Sequence, residues 1–337
     1  MLALTTFPRV FRPSHIAIGS HRRTPRESGG HLLVCQTGRF AAPLHSRQQM
    51  AQTRSGFGKN QGNTSRWHHH FWRAIFQPPA SRRGGGARVR HPDLRDDYGS
   101  WAAMRVRGKH ADLNNPTLRS ARHDGMMLFP VSKQEYDACK HRGEELIGPE
   151  FPQYYILPEG GATDLAVESC TAIAREIAVQ LHQHNPHLQP PTPLYICAPA
   201  GTGSTAAGLV DGLKFKTGKV LVFPVVNKDF DSKTILKLLA EARLRSLAEM
   251  AELERRLSII RDYEFGGFAK KHPPVLDFVR IFEAQTGILL DPIYTAKMMF
   301  GIFDMLAKGD FPPGSTVVAV HTGGLQGWEG FRERYGA

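Results

Sequence analysis

The first 92 residues are almost without acids. Fifteen Lys or Arg face a single carboxylate, Glu27, so this stretch carries +14 while the whole 337-residue chain has a formal charge of +12. The remainder is close to neutral, which argues against a nucleic-acid-binding core: such modules carry their cations on the folded face that meets phosphate. Cysteine is scarce as well. Cys35, Cys139, Cys170 and Cys197 lie far apart, with no Cys-x-x-Cys pair to clamp a metal and no disulfide-dense spacing, a pattern that fits a reducing compartment. Lysine is nearly missing from the start, where Lys59 is the only one among residues 1–100. No apolar run approaches the ~20 residues needed to cross a bilayer as a helix, so a soluble chain with no membrane partner is expected. The last absence is of pattern. Residues 1 to about 100 show neither two-residue nor 3.6-residue apolar periodicity over a useful length, and "SRRGGGARVRHPDLRDDYG" would solvate well and bury little. Residues 1–103 are therefore expected to be disordered or irregular. Their opening, "MLALTTFPRVFRPSHIAIGSHRRTPR", is acid-free and rich in Arg and hydroxyls, as an organelle transit peptide is. A mitochondrial or plastid location follows if it is one, and a cytoplasmic location if it is not.

From about residue 104 the texture changes. "ADLNNPTLRSARHDGMMLFPVSKQEYDACK" reads as a turn, a short helix, a strand and another helix start, and "YYILPEGG" as a strand ending in Gly-Gly. Helical spacing returns in "DLAVESCTAIAREIAVQLHQ". Then follow the strand "PLYICA", the loop "APAGTGSTAAG", the helix "AAGLVDGLKFK", the strand "VLVFPVV" and one charged helix from about 232 to 258. Two helical segments, "VLDFVRIFEAQTG" and "IYTAKMMFGIFDMLAKG", and the strand "TVVAVHTGG" close the chain. Alternating strands and helices predict an α/β fold, a parallel sheet with helices on both faces. The expected division is a small domain at about 104–155 and a large one at about 156–337. Ligands of such sheets sit beyond the carboxyl ends of the strands, where three glycine-rich loops fall, at 158–163, 200–205 and 321–327. They are expected to converge.

The loop at 200–205 has a defined chemistry. Gly201 and Gly203 allow positive φ and close backbone approach, Thr202, Ser204 and Thr205 add hydroxyl donors, and the helix that follows offers its unpaired N–H groups. Together these make an anion seat, most often for a phosphate. A tight turn of small residues is the alternative reading. No Gly-Lys-Ser/Thr follows, and the third position of a Gly-x-Gly-x-x-Gly pattern is Ala206, so neither nucleotide fingerprint is present.

Read together, "NNPTLRSARHDGMMLFPVSKQEY", "YYILPEGGATDLAVESC", "CAPAGTGSTAAGL", "YEFGGFAKKHPPVLDFVRIFEAQTGILLDPIYTAKMMFGIFDM" and "VVAVHTGGLQGWEGF" resemble, in order and spacing, the pyridoxal-phosphate family of 1-aminocyclopropane-1-carboxylate deaminases and D-cysteine desulfhydrases. The resemblance covers roughly residues 105–335. It implies the fold-type-II, tryptophan-synthase-β-like architecture, pyridoxal 5'-phosphate as cofactor, a small amino acid as substrate and a homodimer. By the same resemblance, Gly201, Thr202, Gly203, Ser204 and Thr205 would hold the cofactor phosphate, Tyr294 would act beside the ring and substrate, and Thr295 would face the pyridine nitrogen. His321, Thr322, Gly323 and Gly324 would close the site. Where the deaminases carry a glutamate, this chain has Thr295. A hydroxyl does not force protonation of the ring nitrogen, so the electron sink is weaker and suits elimination of a thiol better than opening of a cyclopropane. Phe268 stands where the family often has a second tyrosine. Without the resemblance, Tyr294 reads as a core aromatic, His321 as a hydrogen-bonded strand-end histidine, Asp291 as a helix cap and "EMAELERRLS" as a solvated helix face.

One part of the family pattern is missing. Its cofactor-anchoring lysine, in a Ser-Gly-Asn-Lys-x-Arg-Lys stretch, has no counterpart, and neither does the Ser-Asn-His loop that follows. Lys59 in "SGFGKNQGN" is the nearest candidate for the Schiff-base lysine. In "WHHHFWRAIFQPP", residues 67–79, adjacent His68, His69 and His70 cannot all point at one metal ion. Shifted by one nucleotide, however, the codons of this run permit the family's strand and loop, Ile-Ile-Thr-Ser-Gly-Gly-x-Tyr-Ser-Asn-His. Part of the N-terminal half is thus expected to be an out-of-frame translation, the family frame resuming by about Val106. The expected activity is deamination or desulfhydration to a 2-keto acid and ammonia; the alternative is a catalytically inactive member lacking its lysine.

Overall fold

The computed structural model describes the strands at 30–36, 41–46, 73–76 and 102–107 and, between 116 and 336, all but short stretches at 124–125, 133, 139–144, 147–148, 150–154, 185–192, 214–217 and 226–228. Lys59, residues 67–72 and the opening stretch 1–26 lie outside the described residues. The chain divides into two compact units, Thr53–Ala162 in one, Met1–Gln52 with Thr163–Ala337 in the other. The smaller unit ends at residue 162, and the larger unit takes in an N-terminal segment as well as residues 163–337.

The smaller unit holds a four-stranded sheet: β3 (Arg73–Phe76), β4 (Ala102–Arg107), β5 (Met127–Val131) and β6 (Tyr155–Leu157), in the order β5-β4-β3-β6. β4 and β5 are parallel, joined across α1 (Pro116–His123), while β3 runs antiparallel to both of its neighbours. Proline at the first position of α1 is tolerated because that N–H has no helical partner anyway.

The larger unit carries a six-stranded sheet in the order β2-β1-β10-β7-β8-β9. Its parallel part consists of β10 (Thr316–Val320), β7 (Leu194–Ala200), β8 (Gly218–Pro224) and β9 (Leu257–Ile259). An antiparallel hairpin, β1 (Gly30–Gln36) and β2 (Ala41–Ser46), extends it beyond β10, with Leu32 opposite Val320 and Gln36 opposite Thr316. These residues fall in the region expected to be irregular. The run "HLLVC" is too short to show a period by itself, and its strand form depends on pairing with β10.

Successive side chains of a strand point to opposite faces, and the core divides accordingly. Leu194, Ile196, Ala198 and Ala200 of β7, with Val220 and Val222 of β8 and Val318 and Val320 of β10, join a cluster that includes residues of α2 (Asp164–His184), α3 (Ser204–Gly212) and α4 (Ser232–Ala242). Cys197, Leu221, Phe223, Val317 and Ala319 point the other way, into a cluster with α6 (Pro273–Thr286) and α7 (Thr295–Lys308). Helices α2 and α3 approach closely because Gly208 and Gly212 face α2: a Cβ on Gly208 would lie 2.3 Å from the Cys170 Cβ.

The single charged helix expected at 232–258 is two helices and a strand. Asp231 caps α4 and Ser246 caps α5 (Leu247–Arg255), each in a reciprocal box with the residue three positions on, Thr234 and Glu249. A capping box starts a helix, so Ser246 begins a new one after the break at Arg243–Arg245. Only Leu253 of α5 is buried, which makes most of this helix a solvated face.

Candidate functional site

Strand order reverses beside β7. From β7 the chain steps outward through α3 to β8 and β9, then returns through α6 and α7 to β10 on the other side of β7. Right-handed crossovers require a change of face when the direction changes, and the helices do change from one core cluster to the other. The loops leaving the carboxyl ends of β7 and β10 therefore flank a topological switch point, where ligands of open α/β sheets bind. These two loops contain residues 201–205 and 321–325. The third expected loop, with Gly160 and Gly161 at φ of 67° and 65°, ends the smaller unit at Ala162.

In the first loop, Gly203 has φ of 98°, and a Cβ there would lie 2.7 Å from Ile235 Cδ1. The left-handed φ favours glycine here, and the contact, to the end of a flexible side chain, adds a smaller cost. The loop then feeds directly into α3, which has no acid in its first turn, so the positive end of the helix dipole is not neutralised. Ser204, the first residue of α3, is 2 % exposed, and its Oγ has no hydrogen-bond partner. A buried hydroxyl left in this state costs about 1–3 kcal/mol, a cost that an oxyanion at the helix N-terminus would remove. Gly201, Thr202 and Thr205 are part-buried around it. A phosphate fits these residues.

The second loop is locked to the segment before α7. Gly323 N–H donates to His321 Nδ1 (3.1 Å), so the ring proton sits on Nε2, which donates to the Leu289 carbonyl at 2.9 Å. His321 is 7 % exposed; both ring nitrogens are engaged, and it joins the strand end to the next segment. Trp328 Nε1 adds a bond to the Leu290 carbonyl (2.8 Å). Gly324, at φ 91°, approaches Asp291 so closely that a Cβ would lie 3.2 Å from the Asp291 Cγ. Thr322 is part-buried at the same edge.

Asp291 organises the start of α7. Its Oδ1 accepts from the N–H groups of Ile293 (2.9 Å) and Tyr294 (2.7 Å), and its Oδ2 from Thr295 N–H (2.7 Å) and Thr295 Oγ1 (2.5 Å). Thr295 Oγ1 in turn accepts from the Asp291 N–H at 2.8 Å. Burial pushes the Asp291 carboxyl up, opposed by these donors and by His321. The N-cap of α7 is Tyr294, which makes no side-chain cap bond, so Asp291 is not the cap residue itself; its carboxylate instead bonds the N–H groups of the turn that leads into the helix and fixes the backbone of Tyr294 and Thr295. Thr295 is fully buried, and its hydroxyl hydrogen is committed to Asp291. Tyr294 is part-buried, with its ring edge-on to Phe268 at 6.0 Å.

Lys297, in the first turn of α7, was not marked by any sequence motif. It is 1 % exposed, and its Nζ donates to the carbonyls of Glu264 (2.8 Å) and Gly267 (2.6 Å). The signal that could have found it is a lone cation in the apolar run "YTAKMMFGIF". Among the described residues no group of His, Cys, Asp and Glu could hold a metal ion, and no helix is long and apolar enough to cross a membrane.

Residues 115–323 match the model of the family "Pyridoxal-phosphate dependent enzyme". Among curated proteins the chain is similar to the bifunctional D-cysteine desulfhydrase/1-aminocyclopropane-1-carboxylate deaminase, mitochondrial, of Arabidopsis thaliana, 27 % identical over 216 residues, 60 % of this chain and 51 % of that protein. It is also similar to a 1-aminocyclopropane-1-carboxylate deaminase of Ralstonia pickettii, 30 % identical over 138 residues, 39 % of this chain and 40 % of that one. The chain spans about half the length of the curated relatives it matches. The crystal structure of an ACC deaminase homologue superposes with a TM-score of 0.52 at 24 % identity, covering 68 % of each chain. That likeness shows the fold.

Proposed function

The chain belongs to the family of pyridoxal-phosphate dependent enzymes, and from that premise we propose that it eliminates the β-substituent of a small amino acid, D-cysteine foremost, releasing sulfide, a 2-keto acid and ammonia. Deamination of 1-aminocyclopropane-1-carboxylate, the other reaction its relatives' names carry, is the competing substrate choice. The observation that carries the reading is the unpartnered Ser204 hydroxyl at the start of a helix beside the switch point. That arrangement wants a buried phosphate.

When bound, pyridoxal phosphate supplies an electron sink that acidifies the substrate's α-hydrogen and lets a β-leaving group depart. The chain's own residues divide the remaining work. Gly201 to Thr205 hold the phosphate with backbone and hydroxyl donors. Asp291 fixes Tyr294, whose phenol can hold or move a proton near the substrate. Thr295, its hydrogen given to Asp291, offers no proton to the ring nitrogen, and Thr322 and Gly323 line the edge. A sink left without enforced protonation favours a leaving group as good as sulfide over cyclopropane opening, which is why D-cysteine comes first.

The lysine that anchors the cofactor is assigned to Lys59. Loading the purified full-length chain with pyridoxal phosphate, trapping with borohydride and mapping the modified peptide tests both claims. A visible cofactor band with an adduct on Lys59 is expected. An adduct on another lysine removes the Lys59 assignment; no band and no adduct remove the enzyme reading for this chain. Sulfide release from D-cysteine, compared with keto-acid release from aminocyclopropane carboxylate, decides the substrate.

A further inference from the structure

The Tyr263–Lys270 segment lies beyond the carboxyl end of β9 and holds a conformation that its sequence does not favour. Phe265 and Ala269 have φ of 47° and 51°, with Gly266 and Gly267 between them at 80° and 100°. Left-handed backbone at residues bearing side chains persists only where the surroundings impose it. Three contacts do so. Lys297 Nζ bonds the carbonyls of Glu264 and Gly267. From the end of α8 (Gly327–Tyr335), the Tyr335 hydroxyl donates to the Ala269 carbonyl at 3.0 Å. The Phe265 ring is wedged between His272 (4.3 Å) and Phe300 (5.3 Å).

The Lys297 contact is the unusual one, because a buried ammonium normally meets a carboxylate and here its bonded partners are two neutral carbonyls of one loop. Between and beyond those carbonyls the loop turns, and it then presents Phe268 to Tyr294. We propose that Lys297 is a positioning residue: it holds the Tyr263–Lys270 loop in its left-handed form and so keeps the Phe268 ring against Tyr294, shaping the substrate side of the site. The value of that placement rests on the function proposed above, whereas the restraint of the loop does not. Glu264 and Asp291 are the acids and His272 the other titratable group that bear on the Lys297 ammonium.

Amide hydrogen exchange on the full chain loaded with pyridoxal phosphate, without substrate, tests the restraint whatever the substrate proves to be. Lys297→Met is expected to speed exchange across 264–270 on the order of tenfold while β7, β8 and β10 keep their protection. Adding Ala269→Gly to the same variant is expected to return it to within about threefold, since glycine adopts positive φ without strain. A general packing role for Lys297 would not produce that rescue. In turnover, Lys297→Met raises KM for D-cysteine more than it lowers kcat, and Ala269→Gly restores it. Unchanged exchange at 264–270, exchange raised equally through the sheet, or no recovery in the double variant overturns the proposal. If Lys297→Met does not fold, Tyr335→Phe, which releases the Ala269 carbonyl from the surface side, must give the same local acceleration; a flat result there overturns it equally.

Discussion

Ser204 separates the two readings of its own loop by the sign of an effect. A tight turn of small residues would gain nothing from its hydroxyl, whereas a phosphate seat would. Ser204→Ala is expected to stabilise the cofactor-free chain by about 1 kcal/mol, because it deletes an unsatisfied buried oxygen, and to weaken pyridoxal phosphate binding on the order of tenfold. Thermal denaturation with and without cofactor reads both. Lys297 makes a second prediction at this scale. Burial lowers its pKa to about 8 from 10.5, with Asp291 and Glu264 pulling the other way. The folded chain therefore releases this proton before the unfolded chain does, so the unfavourable contribution is complete below pH 8 and is relieved as pH climbs from about 8 to 10.5. Measured by denaturant midpoints, the wild type should gain stability relative to Lys297→Met across that window and not below it. The two residues differ in how visible they were. Ser204 stood in a motif of local chemistry, while Lys297 matters only through carbonyls some thirty positions away, which no spacing reveals.

At the scale of elements, the glycines of α3 bring that helix close against α2. Gly208→Ala would drive a Cβ to 2.3 Å from Cys170 Cβ and 2.6 Å from the Val167 carbonyl oxygen. Backbone cannot yield as a flexible side chain does, so a loss of about 1–3 kcal/mol is expected, seen as a lower denaturant midpoint at unchanged slope. The longer strands and helices after residue 155 were legible, because they run far enough to show their period and are bounded by glycine, proline or a capping residue. The helix drawn across 232–258 failed for a physical reason: charge and apolar spacing continue through the break, and the Ser246–Glu249 box that restarts the helix lies inside that continuous pattern. The segment 289–295 was legible as a helix start but not as a joint, since its bonds to the last strand's loop link residues far apart in sequence.

At the scale of the molecule, β10 would be a sheet edge without β1. Its five residues are all buried, and β1 pairs along its whole length. A chain lacking Met1–Ser46 should expose that edge and associate with rising concentration, because an uncovered strand recruits another; light scattering across a dilution series checks it. The hairpin escaped the sequence reading because its order is set by a strand some 285 residues later, as Leu32 opposite Val320 illustrates. Whether residues 67–72 are read in the family's frame is a question for the transcript: sequencing across those codons is expected to show a one-nucleotide departure from the frame that encodes "WHHHFW", and an intact message in the present frame removes the idea.

The closeness of Gly324 to the Asp291 carboxyl, together with the bond from His321 to Leu289, reaches beyond this one chain. An added Cβ at position 324 would oblige the Asp291 carboxyl to give by a few tenths of an ångström, and the left-handed φ would strain any side chain there whatever stood opposite. Descendants should therefore keep glycine at position 324 even where other positions of this pocket diversify.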